Sequence, residues 1–125
     1  MKPPNILLID DSTTNIVLLD AILTEKGYSI ETALNAREAF ARINKQLPDL
    51  ILLDLLMPKV SGFDFLEQLR KNEMTKKTPV IVISALNTDD ENLQKIKNLD
   101  AVEFLGKPID IQYLVSLVDN ILKRD

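Results

Sequence analysis

The sequence predicts an α/β fold in which helices cover both faces of one parallel β-sheet. Short, continuously apolar runs alternate along the chain with longer segments whose apolar residues recur at helical spacing. Strands that are apolar on both faces are typical of parallel sheets, because the crossover helices bury both sides of such a sheet. The alternation repeats five times without an internal linker, which predicts five βα units in a single domain of residues 1–125.

Five short segments supply the predicted strands. These segments are residues 6–9, 28–34, 50–53, 80–83 and 101–105, of which the second is a weaker strand and, like the fifth, contains polar side chains. Three of them lead directly into a polar side chain: Asp10 follows the first, Asp54 the third and Ser84 the fourth. Their lengths are those of ordinary strands.

Five amphipathic segments supply the predicted helices. The first, residues 15–26, stops at Gly27, which readily takes the left-handed geometry of a helix C-terminus. Pro48 ends the second helix, and the fourth, residues 89–98, is short and polar. The apolar faces of the five helices consist of Ile16, Leu19 and Leu23; Ala36, Ala39, Phe40 and Ile43; Phe65, Leu66 and Leu69; Leu93 and Ile96; and Ile111, Leu114, Val115, Val118, Ile121 and Leu122.

The composition excludes several classes of function. Of the 125 residues, 46% are hydrophobic and 27% charged, as in a soluble globular domain. The chain contains neither cysteine nor histidine, which excludes disulfides, thiolate metal sites, Ser-His catalysis and a phosphohistidine formed within this chain. The net charge of -4 disfavours direct binding to nucleic acid or anionic membranes. No signal peptide or membrane span is predicted, so a cytoplasmic protein is expected.

The polar residues that follow the predicted strands are expected to meet at one edge of the sheet. In parallel α/β sheets the binding crevice lies beyond the carboxyl ends of the strands. The residues at these ends are Asp10, Asp11, Asp54, Ser84 and Lys107. Two carboxylates about 4 Å apart repel by roughly 4 kcal/mol at an effective dielectric of about 20, so three of them need a cation. Mg²⁺ (or Mn²⁺) prefers such oxygen ligands and, together with Lys107, balances the three negative charges.

In this order and spacing, these residues resemble the receiver domains of two-component response regulators. The matching motifs are Asp10-Asp11, Asp54 to Pro58 with Gly62 eight residues after the aspartate, Ser84-Ala85 and Lys107-Pro108. The resemblance covers essentially the whole chain. It implies a flavodoxin-like, chemotaxis-regulator-like fold with the strand order 2-1-3-4-5.

The resemblance also implies a role for each site residue. Asp54 would take a phosphoryl group from a histidine kinase or a His-containing phosphotransfer protein, forming an acyl phosphate. Asp11, Asp54 and the backbone carbonyl of Leu56 would ligate Mg²⁺ directly, and Asp10 would act mainly through a metal-bound water. Lys107 would pair with Asp54 at rest and with a phosphate oxygen afterwards. The peptide bond that follows this lysine is expected to be cis.

A switch built from Ser84 and Phe104 is a further implication of the resemblance. After phosphorylation the Ser84 hydroxyl would donate to a phosphate oxygen, and the Phe104 ring would turn into the space vacated by the Ser84 loop. The face made by the fourth helix, fifth strand and fifth helix would signal to an effector protein or a linked output domain, or form a phosphorylation-dependent homodimer. The chain would be a signalling module with self-catalysed phosphoryl acceptance and slow autodephosphorylation, not an enzyme with external substrates.

Several residues depart from the usual pattern of the family. Leu56 and Leu86 stand where water would approach the phosphate, and two leucines there predict a long-lived acyl phosphate. Asp100 stands where the family commonly has glycine, although aspartate tolerates the left-handed geometry expected at that turn. Phe104 lacks the hydroxyl of a tyrosine.

Three other interpretations remain open at this point. An aspartyl phosphohydrolase of the haloacid-dehalogenase type needs a second acid two residues after its nucleophile, where this chain has Leu56. A flavin-binding electron carrier could use Ser12-Thr13-Thr14 for phosphate, but the preceding Asp10-Asp11 would repel it. A receiver that only docks partners would not need the complete set of acids, hydroxyl and lysine. Whether the domain acts alone or within a longer protein is also open.

Overall fold

The computed structural model describes residues 3–55, 61–84 and 90–122. Ten elements alternate along these residues: β1 (Asn5–Ile9), α1 (Thr13–Glu25), β2 (Ser29–Ala33), α2 (Ala36–Lys45), β3 (Leu50–Leu53), α3 (Gly62–Lys71), β4 (Val80–Ser84), α4 (Asp90–Asn98), β5 (Glu103–Gly106) and α5 (Ile111–Leu122). The strands are parallel and lie in the order β2-β1-β3-β4-β5. The predicted α/β class and strand order are confirmed. None of the helices within the described residues is long and apolar enough to cross a bilayer.

The observed elements differ from the predicted ones by a few residues at their ends. Helix α1 begins two residues earlier than predicted, because the Ser12 hydroxyl caps it by accepting the backbone N–H of Asn15 at 3.3 Å. Strand β5 begins at Glu103, two residues later than predicted. The reason is that the backbone N–H of Ala101 still donates to the Ile96 carbonyl at 3.2 Å and so belongs to the end of α4.

Two helices end in a residue with left-handed backbone geometry. Gly27 follows α1 with φ 96°, and Asp100 follows α4 with φ 58°. After α4, the N–H of Asp100 donates to the Lys97 carbonyl at 3.0 Å and that of Ala101 to the Ile96 carbonyl at 3.2 Å. This pair of bonds is a Schellman motif, which closes the helix with its last carbonyls satisfied. The expected left-handed turn at Asp100 is therefore confirmed.

The sheet separates two apolar clusters. One packs α2, α3 and α4 against one face of the sheet, and the other packs α1 and α5 against the opposite face. Successive strand residues alternate between the clusters, because their side chains point to opposite faces. Burial on both faces fixes the register, which pairs Ile9 with Leu53 and Ser84 with Gly106. The residues that follow these strands therefore leave the sheet at one edge.

Arg70, near the C-terminal end of α3, hydrogen-bonds to two connecting segments, which precede β4 and β5. These segments lie at the edge of the sheet where the strands begin. The Arg70 guanidinium donates to five backbone carbonyls, three in the turn after α3 and two after α4. The acceptors are Thr75 (3.2 Å), Lys76 (3.2 Å), Thr78 (2.8 Å), Leu99 (2.7 Å) and Asp100 (3.2 Å). Partial burial lowers the pKa of Arg70 more than the Asp100 carboxylate raises it, but the guanidinium remains charged. These bonds hold the end of α4 next to the start of β4.

We expect Arg70→Met to lower the free energy of unfolding by about 2–4 kcal/mol, because methionine keeps the apolar stem but removes the donor from five carbonyls. Urea denaturation measures the change. Arg42→Met is the matched control, since the half-exposed Arg42 donates to one carbonyl, that of Thr32 at 3.3 Å. It should lose less than about 1 kcal/mol. Equal losses in the two variants would mean that the carbonyl cluster adds no stability.

Candidate functional site

Three carboxylates lie at the edge of the sheet where β1 and β3 end. Both buried acids are held by sheet-like backbone bonds: the N–H of Asp10 donates to the Ala33 carbonyl at 3.1 Å, and that of Asp54 to the Ile9 carbonyl at 2.9 Å. Asp10 is 7% exposed and Asp54 is 4% exposed, whereas Asp11 is open to solvent. One carboxylate oxygen from each acid lies within 4.8 Å of the others. The convergence that the strand ends predicted is present.

Lys107 supplies the positive charge at this edge. Its Nζ lies 3.2 Å from Asp54 Oδ2 and 3.2 Å from Asp10 Oδ2. The backbone N–H of Lys107 donates to the Ser84 carbonyl at 3.1 Å, and the Lys107–Pro108 bond is cis, as expected. Partial burial lowers the pKa of Lys107, but the two carboxylates raise it more, so the net shift is upward and the ammonium is charged at neutral pH. The equal contact with Asp10 is one that the sequence alone did not indicate.

Asp10 accepts hydrogen bonds on both carboxylate oxygens. Oδ1 accepts the backbone N–H of Ser12 at 2.9 Å, and Oδ2 accepts the side-chain amide of Asn15 at 3.4 Å in addition to Lys107. The N-cap of α1 is Ser12 and not an aspartate. Capping of this helix therefore does not explain the acid pair at positions 10 and 11.

Ser84 and Phe104 lie on the neighbouring strands β4 and β5. Ser84 is fully buried at the end of β4, and because β4 pairs with β3, it lies on the same edge of the sheet as Asp54. Phe104 is partly buried and packs against the cluster that α2, α3 and α4 share. It pairs with Val82, two residues before Ser84, so it stands further from the sheet edge than the serine does.

Gly62, the first residue of α3, presses against the segment that follows Asp54. Its backbone N–H donates to the Leu55 carbonyl at 3.0 Å. A Cβ at this position would lie 2.4 Å from Leu55 Cα and 2.9 Å from the Asp54 carbonyl oxygen. Only glycine allows this approach. The sequence identified Gly62 as part of a motif, and the structure supplies the physical reason.

The donor set at this edge suits a hard divalent cation. Three carboxylates and one ammonium leave a net charge of -2, which a divalent ion neutralises. Carboxylate oxygens are the protein ligands that Mg²⁺ prefers, and waters usually complete its coordination shell. Asp11 is exposed to solvent, so water has access to this side of the cluster. Leu56, predicted to offer its backbone carbonyl, and Leu86, predicted to exclude water, lie outside the described residues.

Comparison with known proteins agrees with this geometry. The family model of the response regulator receiver domain matches residues 6–119, which include every acid of the site and Lys107. The chain belongs to this family. Of the interpretations considered from the sequence, the match supports the receiver domain.

Named relatives of the receiver domain share about a third of its residues. It is 36% identical over 121 residues to the probable transcriptional regulator ycf29 of Porphyra purpurea, covering 97% of this chain and 57% of ycf29. Over 118 residues it is 36% identical to the response regulator PleD of Caulobacter vibrioides, covering 94% of this chain and 26% of PleD. The receiver domain thus spans little more than half of one relative and about a quarter of the other.

The fold is shared with solved structures. The crystal structure of a response regulator receiver protein from Pseudomonas putida matches with a TM-score of 0.90 at 31% identity, covering 96% of this chain and 98% of that one. The structure of the chemotaxis protein CheY4 of Vibrio cholerae matches with a TM-score of 0.87 at 30% identity, covering 95% and 98%.

Proposed function

We propose that this receiver domain accepts a phosphoryl group on Asp54 from a phosphohistidine of a histidine kinase or a His-containing phosphotransfer protein. The observation that carries the proposal is the environment of Asp54. It is a buried carboxylate with the Lys107 ammonium at 3.2 Å and two further carboxylates within 4.8 Å. Even with Lys107 paired to both buried acids, three carboxylates and one ammonium keep a net charge of -2, which costs stability. We attribute the retention of this cluster to phosphoryl chemistry.

In the transfer, a carboxylate oxygen of Asp54 forms a bond to phosphorus while the phosphorus–nitrogen bond of the donor imidazole breaks. The electron pair of that bond stays on the imidazole nitrogen, and the ring leaves neutral when its other nitrogen carries a proton. Catalysis then consists of positioning and charge neutralisation. Lys107, which contacts Asp54 at rest, follows the new charge onto a phosphoryl oxygen, and the Ser84 hydroxyl donates to another.

The same residues would hold Mg²⁺ or Mn²⁺. Asp11, Asp54 and the backbone carbonyl of Leu56 would ligate the ion directly, and Asp10 would do so mainly through water. When bound, the ion neutralises negative charge on the phosphoryl oxygens. The chain's own contribution is to keep Asp10 and Asp54 buried and oriented by their backbone bonds.

The proposed output is a change on the face formed by α4, β5 and α5. Donation from Ser84 to the phosphate would draw the loop after β4 inward, and the Phe104 ring would follow into the space released. Phe104 already packs on the side of the sheet that carries α4, which supports this coupling. The face would then signal to an effector protein, a linked output domain or a second copy of the chain. The proposed setting is the cytoplasm, without direct contact to nucleic acid and without turnover of external substrates.

An apolar groove beside the site supports a protein as the phosphoryl donor. The groove has a volume of about 250 Å³ and lies between α1 and the connection from β5 to α5. Its lining residues are Asn15, Leu18, Leu19, Lys107, Pro108, Ile109 and Ile111. On the same helix, Val17 is 67% exposed and Leu18 is 52% exposed. Exposed apolar side chains next to a polar site favour docking of a protein over a small phosphate donor.

Intact-protein mass spectrometry after incubation with acetyl phosphate tests the proposal. With Mg²⁺, one phosphoryl group should be added per chain. With EDTA, the addition should be lost, because the acid cluster then repels the incoming phosphate. A domain that gains no phosphate in Mg²⁺ would instead be a receiver that only docks partners. A gain that EDTA leaves unchanged would contradict the role of the metal.

A further inference from the structure

Asn15 contacts the acid cluster although the proposed chemistry assigns it no role. It is the third residue of α1 and is partly buried. Its side-chain amide donates to Asp10 Oδ2 at 3.4 Å, and Lys107 Nζ donates to the same oxygen at 3.2 Å. The backbone N–H of Asn15 is held by the Ser12 hydroxyl, which fixes where the side chain starts.

The two donors to Asp10 Oδ2, the Lys107 ammonium and the Asn15 amide, differ in their other contacts. Lys107 is divided equally between Asp10 and Asp54, at 3.2 Å from each. When phosphoryl charge develops on Asp54, the ammonium is attracted to it and its contact with Asp10 weakens. Among the described residues the Asn15 amide donates to Asp10 Oδ2. Because this amide is neutral, charge that develops on Asp54 attracts it far less than it attracts the Lys107 ammonium, so the amide can remain on Asp10 throughout the transfer.

We propose that Asn15 is a positioning residue that holds the Asp10 carboxylate toward the divalent cation while Lys107 moves to the phosphoryl group. The inference rests on the proposed function. A neutral amide suits this task, because a second cation at position 15 would cancel part of the -2 charge that attracts the metal, and a carboxylate could not donate. With Oδ1 on the Ser12 N–H and Oδ2 on the Asn15 amide, Asp10 keeps one orientation without Lys107.

Calorimetric titration of Mg²⁺ into Asn15→Ala, Asn15→Gln and wild-type protein tests the inference. Asn15→Ala should weaken Mg²⁺ binding roughly three- to tenfold, the loss expected from one hydrogen bond of ordinary strength, because the 3.4 Å contact is long for a bond to a charged group. Asn15→Gln retains an amide and should recover most of the affinity. Thr14→Ala, an exposed position in the same turn, is the matched control and should bind as wild type does. Thermal unfolding in EDTA distinguishes a role in metal binding from a role in fold stability. Because alanine is well tolerated in a helix, Asn15→Ala should keep the melting temperature of the metal-free protein.

The outcomes distinguish this inference from the proposed function. If wild-type protein binds Mg²⁺ and accepts phosphate while Asn15→Ala binds Mg²⁺ equally well, only the inference on Asn15 is overturned. The same holds if Asn15→Ala lowers the melting temperature in EDTA but leaves the Mg²⁺ affinity unchanged. Failure of the wild-type protein to bind Mg²⁺ overturns both.

Discussion

Asp54→Asn is expected to abolish phosphoryl acceptance and, without metal, to stabilise the folded protein. Asparagine has nearly the same shape but no anionic oxygen to attack phosphorus. Among the described residues Asp54 faces one ammonium and two carboxylates, which sum to a negative charge, and its own burial adds a desolvation cost. Removing its charge should therefore raise the free energy of unfolding in EDTA by about 1–2 kcal/mol.

Saturating Mg²⁺ should reduce or reverse the difference in free energy of unfolding between Asp54→Asn and the wild-type protein. The wild-type protein binds the ion more tightly than the variant does and is stabilised by that binding. Asp20→Asn is the matched control: Asp20 lies on α1 and accepts a hydrogen bond from Thr24 that an amide oxygen can also accept. It should take up phosphate normally and gain no stability. Urea denaturation and intact-protein mass spectrometry supply both measurements. An Asp54→Asn variant that is less stable than wild type in EDTA would contradict the repulsion assigned to the cluster.

Gly62→Ala is expected to lower the free energy of unfolding by about 3 kcal/mol and to impair phosphoryl acceptance in the molecules that fold. A methyl group would meet Leu55 Cα at 2.4 Å and the Asp54 carbonyl oxygen at 2.9 Å. Both are backbone atoms, so the clash cannot be relieved by rotating a side chain. Relief requires moving α3 or moving the backbone that carries the phosphoacceptor.

Gly106→Ala is the matched control, because a Cβ at position 106 would meet no atom within 4 Å among the described residues beyond its two chain neighbours, and the residue lies in strand β5. It should change the free energy of unfolding by less than about 1 kcal/mol. Urea denaturation compares the two variants, and the rate of modification by acetyl phosphate reports the effect on Asp54. Equal stability of the two would show that the close approach at Gly62 does not constrain the site.

The fold was predictable because the local apolar patterns of the strands and helices are consistent with one architecture. Apolar runs such as residues 50–53 mark strands buried on both faces, and the helical stripes between them require a parallel sheet. The error at β5 arose where a turn depends on backbone geometry. The left-handed Asp100 carries the end of α4 one residue further, so Ala101 bonds back to the helix instead of joining the sheet.

The acid cluster was predictable because the carboxyl ends of parallel strands meet at one edge. Contacts that depend on side-chain reach were not. The donation from Asn15 follows from the exact start of α1, which Ser12 sets. The equal approach of Lys107 to Asp10 depends on how far its side chain reaches from the end of β5. The five bonds of Arg70 join segments that only the completed fold brings together, since Leu99 is 29 residues away along the chain.

The most direct test of the central claim is to identify the phosphorylated side chain itself. Borohydride reduces an acyl phosphate to the corresponding alcohol, so a phosphorylated aspartate becomes homoserine. Protein treated with acetyl phosphate and Mg²⁺, then reduced and mapped by tandem mass spectrometry, should contain homoserine at position 54. Homoserine at Asp10 or Asp11, or at no position in a protein that gained phosphate, would contradict the assignment of Asp54 as the phosphoacceptor.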